Sequence, residues 1–253
     1  MVQRNFSKQP SYGLFDLHIH VLPGLDDGAG SLMEAVAMLE WAAQSGVRTM
    51  VATPHANQRG RFENYLSPQM SRSMEQLQRE IHRRGIPIQL LAGMEIYASE
   101  DLVERIQQGQ LCSMAGSAYY MVEFPPLCPR EDVEMLLRQM LRHGFLPLIA
   151  HPERYQCVQR NPEVVRIWRG LGCAVQLETG SLLGQFGQNA HRAARWMLDR
   201  GQVDVFGSDA HGQKRKTPSM QELWQYLERE VGAPKAKQLL VEQPYRLLST
   251  LPK

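Results

Sequence analysis

Short apolar runs alternate with longer amphipathic stretches along most of the chain. The amphipathic stretches carry apolar residues at helical spacing, whereas the apolar runs are short enough for buried strands. Seven strands are predicted: Leu14–Leu17, Val47–Ala52, Ile88–Ala92, Tyr119–Glu123, Phe145–Ala150, Cys173–Glu178 and Val203–Gly207. An alternation of this kind is typical of parallel βα units.

The clearest helix is predicted between the first two strands. Ser31 and Glu34 have the spacing of a capping box, in which the two side chains satisfy backbone N–H groups at a helix start. An apolar face follows at helical spacing, and Gly46 is a typical stop. Two further helices of the same design are predicted at Arg130–His143 and Ala190–Arg200.

Seven βα units in 253 residues indicate one α/β domain rather than two. No Pro/Gly/Ser-rich linker, internal repeat or shift in composition divides the chain. A closed or nearly closed parallel barrel is the favoured arrangement. A doubly wound open sheet is the alternative, because periodicity does not reveal strand order. The domain is expected to span 1–253, with 1–13 as a loose N-terminal tail.

Composition excludes several classes of protein. The net charge is only +2 and no long basic run occurs, so no nucleic-acid partner is predicted. No stretch of 18 apolar residues is present, and the N-terminus lacks the apolar region of a signal peptide. The four cysteines lack CxxC spacing, which favours reduced thiols and a cytoplasmic location. None has an arginine six residues later, so a Cys-x5-Arg phosphatase loop is absent.

Ionisable residues cluster where the predicted strands end. In a parallel barrel these ends open onto one face, which carries the active site. Nine such residues follow or end six of the seven strands: His18, His20, Asp27, His55, Glu95, Glu123, His151, Asp209 and His211.

Metal binding explains this clustering better than chance does. A single histidine after a strand is more often an ordinary loop residue, but five of the eight histidines lie at strand ends. The pair His18 and His20 places two imidazoles on one side of an extended chain. Crowded, buried carboxylates and imidazoles are costly unless a cation compensates them. Nitrogen and carboxylate donors without thiolate favour Mn²⁺, Fe²⁺ or Zn²⁺. Nine ligands are enough for two or three ions.

Such clusters activate water and neutralise oxyanions, so a phosphate ester is the expected substrate. Cationic side chains near the same mouth would hold its phosphate. The candidates are Arg154 in HPERY and either Arg215 or Lys216 after SDAH.

The motifs resemble a known family. In order, the chain contains DLHIHVLPGLDDGAGS, ATPH followed by GRFENY, GMEIY, YYMVEFP, AHPERY and GSDAH. These motifs, from about residue 14 to residue 216, are similar to those of the polymerase-and-histidinol-phosphatase (PHP) superfamily. Within it, the chain resembles the bacterial manganese-dependent protein tyrosine phosphatases of capsule and exopolysaccharide synthesis, the CpsB/YwqE type.

The resemblance implies a distorted (β/α)7 barrel with metals at the C-terminal mouth of the strands. It further implies three ligand sets, with Glu95 shared by two of them. The sets are His18, His20, Glu95 and Asp209; Glu95, Glu123 and His151; and Asp27, His55 and His211.

Phosphotyrosine in proteins is the substrate that the resemblance implies, and a membrane tyrosine autokinase is the implied partner. Arg154 would bind the phosphate, and His55 or His211 would serve as general acid. The sequence departs from the family pattern at Lys216, where an arginine is expected, and at Glu178, where a neutral polar residue is expected. Asp26 is left out of the ligand sets, although it adjoins Asp27.

Two other functions remain open at this stage. One is a phosphoesterase of the same superfamily acting on histidinol phosphate or a nucleotide, and the other is a binding module with a non-catalytic metal cluster. Phe62, Tyr65 and Tyr155 adjoin the motifs and could flank an aromatic substrate, although core packing is the more common role of such residues.

Overall fold

The structure is a computed structural model that describes residues 13–212 and 220–252. Within these residues the chain forms nine strands and eleven α-helices. The strands are β1 Leu14–Ile19, β2 Val47–Ala52, β3 His55–Ala56, β4 Gln89–Ala92, β5 Glu95–Tyr97, β6 Tyr119–Glu123, β7 Leu146–Ala150, β8 Ala174–Glu178 and β9 Val205–Gly207. The helices are α1 Leu32–Gln44, α2 Pro68–Arg84, α3 Leu102–Gln107, α4 Arg130–Arg142, α5 Gln156–Arg160, α6 Glu163–Gly170, α7 Thr179–Leu182, α8 Gly187–Asp199, α9 Met220–Val231, α10 Ala233–Lys237 and α11 Gln243–Ser249.

The strands are parallel and form a curled sheet in two parts. One part has the order β1-β2-β4, and the other has the order β3-β5-β6-β7-β8-β9. At the far edge, the Asp209 amide donates to the His18 carbonyl (2.8 Å), and the His20 amide donates to the Ala210 carbonyl (3.0 Å). These bonds join the end of β1 to the segment after β9. The prediction of a parallel α/β sheet is therefore confirmed.

The seven predicted strands are all present, with ends within two residues of those expected. The short strands β3 and β5 were not predicted, because two or three residues that include a polar side chain show no periodicity. The predicted cap of α1 is also present, since Ser31 Oγ accepts a hydrogen bond from the Glu34 amide (3.2 Å). The Glu34 carboxylate accepts from the Gly30 amide instead of the Ser31 amide, so the capping box is shifted by one residue.

The other two predicted helices are present with small shifts. Helix α4 ends one residue before the predicted end, and α8 begins three residues before the predicted start. The predicted N-terminal tail falls on 1–12, outside the described residues. Among the residues that the structure describes, no helix is both long and apolar enough to cross a membrane.

Two sets of buried apolar side chains pack against the sheet. The larger set joins the strands to the surrounding helices and includes Trp168, which is completely buried. The smaller set comes from β1, β6, β7 and β9 among other elements, and it includes Leu247 and Leu248 of α11. Burial on both faces explains why the strands read as almost continuous apolar runs.

Tyr155 connects the C-terminal ends of β6 and β7 through hydrogen bonds. Its hydroxyl donates to the Ala150 carbonyl at the end of β7 (2.6 Å) and accepts from the Phe124 amide just after β6 (3.0 Å). The side chain is 1% exposed. Tyr155 is therefore a core residue and does not flank a substrate, which agrees with the more common of the two roles considered for it.

We expect Tyr155→Phe to lower the free energy of unfolding by about 1–3 kcal/mol, because the buried Phe124 amide loses its acceptor. Urea unfolding in the presence of a chelator measures this change. Tyr120→Phe is the matched control, since the Tyr120 hydroxyl has no hydrogen-bond partner among the described residues. Equal losses in the two variants would contradict the assignment.

Candidate metal centre

The structure brings together all nine side chains that the sequence predicts as ligands. Each lies in, at the end of or shortly after a strand, except Asp27, which lies in the loop between β1 and α1. Seven of them line a cavity of about 300 Å³, and His18 and His20 lie behind this lining, against Glu95 and Asp209. Its lining is Asp27, His55, Gln58, Arg61, Glu95, Tyr97, Glu123, Pro126, His151, Arg154, Asp209 and His211.

Four donor atoms converge at the buried floor of this cavity. Nε2 of His18 lies 3.2 Å from Nε2 of His20. Oε2 of Glu95 lies 3.2 Å and 3.3 Å from these two nitrogens. Oδ1 of Asp209 lies 3.4 Å and 3.2 Å from the same nitrogens. All four residues are at most 2% exposed, so bulk water does not screen the group.

The outer nitrogens of the two imidazoles are held by acceptors. Nδ1 of His18 donates to Oε1 of Gln176 (3.1 Å), and Nδ1 of His20 donates to Oδ2 of Asp26 (2.7 Å). With the protons on Nδ1, both Nε2 lone pairs face the two carboxylate oxygens. Lone pairs this close repel each other unless a cation or a proton lies between them. A hydrogen bond from the outer ring nitrogen to an acceptor, as His18 and His20 make here, is the usual environment of a metal-binding histidine.

Glu95 also connects this group to a second one. Its Oε1 lies 2.8 Å from Nε2 of His151, which in turn lies 3.8 Å from Oε1 of Glu123. Nδ1 of His55 lies 2.9 Å from Oε2 of Glu95 and 3.7 Å from Oε2 of Glu123. The structure therefore places His55 beside the second group as well as the third.

The third group lies nearer the solvent. Oδ1 of Asp27 is 3.4 Å from Nε2 of His211 and 3.6 Å from Nε2 of His55. The two ring nitrogens are 3.5 Å apart. Nδ1 of His211 donates to the Asp209 carbonyl (2.9 Å), so its Nε2 lone pair faces the group.

The adjacent aspartates differ in their contacts. Asp26 accepts hydrogen bonds from His20 Nδ1 and from the backbone amides of Gly28 and His55 (2.9 Å each). Its oxygens are therefore occupied in supporting other residues. Asp27 lines the cavity, and its buried Oδ1 accepts no hydrogen bond from the described residues. The geometry distinguishes a supporting aspartate from a possible ligand, as the motif alone could not.

Charges in the cluster shift several pKa values. Burial alone would lower the pKa of His18, but the carboxylates of Glu95 and Asp209 outweigh it and raise it to about 9. Burial alone would raise the pKa of Glu95, but the charges of His18 and His55 hold it well below its usual range. Burial and the neighbouring Glu95 raise the pKa of Glu123 to about 7. Protons thus compensate the carboxylates, and a metal would displace them.

The backbone turns sharply at two of the cluster residues. His151 has φ 32° and Asp209 has φ 49°, both in the left-handed region that L-residues rarely adopt. Such conformations cost about 1–3 kcal/mol and persist where the surroundings require them. Gly207 is required for a different reason, because a Cβ there would collide with His18 Cβ.

Arg154 reaches the cavity from the turn after β7. Its Nη1 donates to Oε2 of Glu178 (3.3 Å) and to Oδ2 of Asp209 (3.2 Å). Its guanidinium lies 5.3 Å from the centre of the Phe186 ring. Burial opposes the charge, but Glu178 and Asp209 raise the pKa of Arg154 further above its usual value. Arg215 and Lys216 lie outside the described residues.

Sequence reasoning missed several residues of this site. Gln176, completely buried in β8, supports His18, and its Oε1 also accepts from the His151 amide (3.2 Å). Its position two residues before the predicted end of a strand was the available signal. Arg61 lines the cavity and lies 3.4 Å from Oδ2 of Asp27. Phe62 was not missed, since it is one of the three aromatic residues named beside the motifs, and it stacks on His55 with ring centres 5.2 Å apart.

The donor set fits a cluster of divalent cations. Oε2 of Glu95 and Oδ1 of Asp27 are buried and accept no hydrogen bond from the described residues, although imidazole nitrogens lie near both. Three groups of donors have atoms within 4.8 Å of one another: His18, His20, Glu95 and Asp209; His55, Glu95 and Glu123; and His20, His55 and His211. Imidazole nitrogen and carboxylate oxygen are ligands of Mn²⁺, Fe²⁺ and Zn²⁺.

The fold recurs in solved structures of other proteins. The phosphotriesterase homology protein from Escherichia coli, solved with phosphate in its active site, superposes with a TM-score of 0.60 at 12% identity. That match covers 96% of this chain and all of the other chain. At this identity the likeness shows the fold alone, an α/β protein with a curled parallel sheet.

The family is shown by the sequence. The chain belongs to the CpsB/CapC family of capsular polysaccharide synthesis, whose pattern matches residues 14–249. The tyrosine-protein phosphatase YwqE of Bacillus subtilis is 32% identical over 92% of this chain and 88% of its own. The tyrosine-protein phosphatase CpsB of Streptococcus pneumoniae is 31% identical over 93% of this chain and 98% of its own. This confirms the family identified from the motifs.

A solved structure in the same family agrees closely. It comes from a study of YwqE from Bacillus subtilis and CpsB from Streptococcus pneumoniae, described as metal-dependent tyrosine phosphatases. It superposes with a TM-score of 0.86 at 29% identity, over 94% of this chain and 95% of that chain.

We expect Gln176→Leu to weaken Mn²⁺ binding by about 10–100-fold, because His18 and the His151 amide both lose the acceptor that orients them. Calorimetric titration of the metal-free protein measures the affinity. Gln78→Leu, on the exposed side of α2, is the matched control. Unchanged Mn²⁺ affinity in a folded Gln176→Leu protein would show that this support is not needed.

Proposed function

We propose that the protein is a metal-dependent phosphatase that removes phosphate from phosphotyrosine in proteins. The observation that carries this proposal is the convergence of His18, His20, Glu95 and Asp209 beside a cavity that also receives Arg154. Such a site combines cation ligands with a group that binds phosphate. The names of the relatives in the family support the choice of phosphotyrosine.

We assign the nine donors to three cations, with two as the minimum. The first set is His18, His20, Glu95 and Asp209; the second is Glu95, Glu123 and His151; the third is Asp27, His55 and His211. The distances above support this division, except that His55 could serve the second set through Nδ1 or the third through Nε2. Mn²⁺ is the proposed ion, with Fe²⁺ or Zn²⁺ as alternatives of the same ligand preference.

The chain's own residues would bind and orient the ester. Cations held by these ligands would activate water and neutralise charge on the phosphoryl oxygens. Arg154 would contact the phosphate, since guanidinium forms paired hydrogen bonds with phosphate oxygens. Glu178 and Phe186 would fix its position. Arg215 or Lys216 is proposed as a second cationic contact.

Departure of the phenolate needs little help, since its conjugate acid has a pKa of ~10. His55 or His211 is proposed as general acid for a site that holds two cations. In a site with three cations, His55 and His211 would hold the third ion, and neither ring would have a nitrogen left to donate a proton. The proton would then come from solvent.

The wider setting is also a proposal. We infer a single domain over 1–253, in which the nine strands of the described residues occupy seven positions of a distorted (β/α)7 barrel. Only two residues separate β2 from β3, and likewise β4 from β5, and this supports counting each pair as one position. A membrane tyrosine autokinase that regulates capsular or exopolysaccharide synthesis is the proposed substrate, and the cytoplasm is the proposed location.

We expect the metal-stripped protein to be inactive and to regain phosphotyrosine-peptide hydrolysis with Mn²⁺. His20→Ala should lower kcat/KM by at least about 100-fold, because it removes a ligand together with its contacts to Asp26 and Glu95. Phosphate release from a phosphotyrosine peptide, a phosphoserine peptide, histidinol phosphate and a nucleoside monophosphate measures preference. Faster turnover of either small molecule would overturn the substrate assignment. No turnover of any ester by folded, metal-loaded protein would favour a binding module.

The two neighbouring aspartates allow a sharper test of the ligand assignment. Asp27→Asn should lower the number of bound Mn²⁺ ions, since a neutral amide is a poor replacement for a carboxylate ligand. Asp26→Asn should keep the number of ions and weaken binding by about 10–100-fold, because it only loosens His20. Metal content after dialysis against graded Mn²⁺ distinguishes the two. The reverse pattern would show that the assignment is off by one residue.

A further inference from the structure

A second, less polar groove lies beside the donor cavity. It has a volume of about 350 Å³, and its apolar lining includes Ala98, Phe124, Pro125, Met135 and Leu136. The last two come from α4, and the others come from segments just after β5 and β6.

The groove and the donor cavity share one wall. Tyr97, Glu123 and Pro126 line the donor cavity, whereas their chain neighbours Ala98 and Phe124 line the groove. Alternate residues of an extended chain face opposite sides, so the same two segments serve both. The Ala98 amide donates to the Glu123 carbonyl (2.9 Å), which holds the two halves of the wall together.

Exposed apolar side chains lie along this wall. Leu127 is 74% exposed and lies between Pro126 of the donor cavity and Cys128 of the groove. Met135, which lines the groove, is 63% exposed. Single exposed hydrophobic residues need no explanation, but these two extend an apolar groove to the rim of the candidate active site.

The charges of the two cavities differ. The only charged side chains in the described lining of the groove are Glu100 and Asp132. The donor cavity contains Arg61 and Arg154. The donor cavity also contains four carboxylates, so it would hold a phosphate once cations occupy the donor groups, whereas the groove favours an apolar or basic side chain over an acidic one.

We propose that this groove binds the polypeptide next to the phosphotyrosine and selects an apolar or basic side chain there over an acidic one. The inference rests on the proposed phosphatase function. A chain whose phosphotyrosine enters the donor cavity must pass over the rim, and at ~3.3 Å per residue the groove is reached within a few residues. A groove of this volume accommodates one or two side chains.

The test compares substrates with and without a polypeptide. The substrates are a phosphotyrosine peptide flanked by leucines, the same peptide flanked by aspartates, and p-nitrophenyl phosphate. We expect the wild-type protein to favour the leucine peptide by about 10-fold in kcat/KM, a ratio in the usual range for discrimination by a hydrophobic pocket. Most of this difference should be in KM. Met135→Glu and Leu127→Glu should each reduce this preference to about 3-fold or less. Turnover of p-nitrophenyl phosphate reports on the active site alone.

Leu251→Glu is the matched control, because Leu251 is 77% exposed and follows Thr250, which bonds to Ala118 at the opposite end of β6. It should leave the preference between the peptides unchanged. Hydrolysis of p-nitrophenyl phosphate without any preference between the peptides would overturn the proposal that the groove binds the flanking polypeptide, while leaving the proposed phosphatase function intact. A groove variant that loses all three substrates equally would do the same. A variant that changes only the oligomeric state would show that a second copy of the chain covers the groove. Failure to hydrolyse any of the three would overturn both proposals.

Discussion

The structure depends on the approach of two imidazole nitrogens that each present a lone pair to the other. Nε2 of His18 and Nε2 of His20 lie 3.2 Å apart because Gln176 and Asp26 hold the opposite nitrogens. Carboxylate oxygens of Glu95 and Asp209 complete the group. Because both Nδ1 atoms donate to these acceptors, neutral rings would turn their Nε2 lone pairs toward each other and toward the ionised carboxylates, which is unfavourable in a buried site. The fold at the strand ends therefore requires either protons or cations in this position.

The parallel sheet makes this arrangement possible. Six of the seven predicted strands are ended or followed by one or more of the nine donors, and the surrounding helices bury the rest of these strands. The left-handed backbone at His151 and Asp209 gives a sharp turn where each chain leaves the sheet. The packing of strands whose side chains are almost completely buried offsets the unfavourable free energy of those backbone conformations.

Much of this was predictable from the sequence, for a physical reason. Strands buried on both faces are visible as apolar runs, and polar residues at their ends are visible as interruptions, so the seven strands and the convergence of nine donors follow. What could not be predicted depends on side-chain geometry. Asp26 and Asp27 differ in role because the carboxylate of Asp26, and not that of Asp27, accepts the hydrogen bond from the His20 ring. Gln176 has its role because its side chain reaches the His18 ring from β8. The strands β3 and β5 are too short to show a period.

The charge of the cavity connects substrate binding to the metals. Four carboxylates line it, those of Asp27, Glu95, Glu123 and Asp209, against the two guanidinium groups of Arg61 and Arg154. Both arginines already contact an aspartate of this lining. A phosphate ester that carries up to two negative charges would meet repulsion here, and low solvent exposure would strengthen that repulsion. Cations held by the donor groups would offset these carboxylate charges and leave the cavity able to accept an anion. The activity would then depend on metal for two reasons: the cations let the cavity bind an anionic ester, and they take part in its hydrolysis.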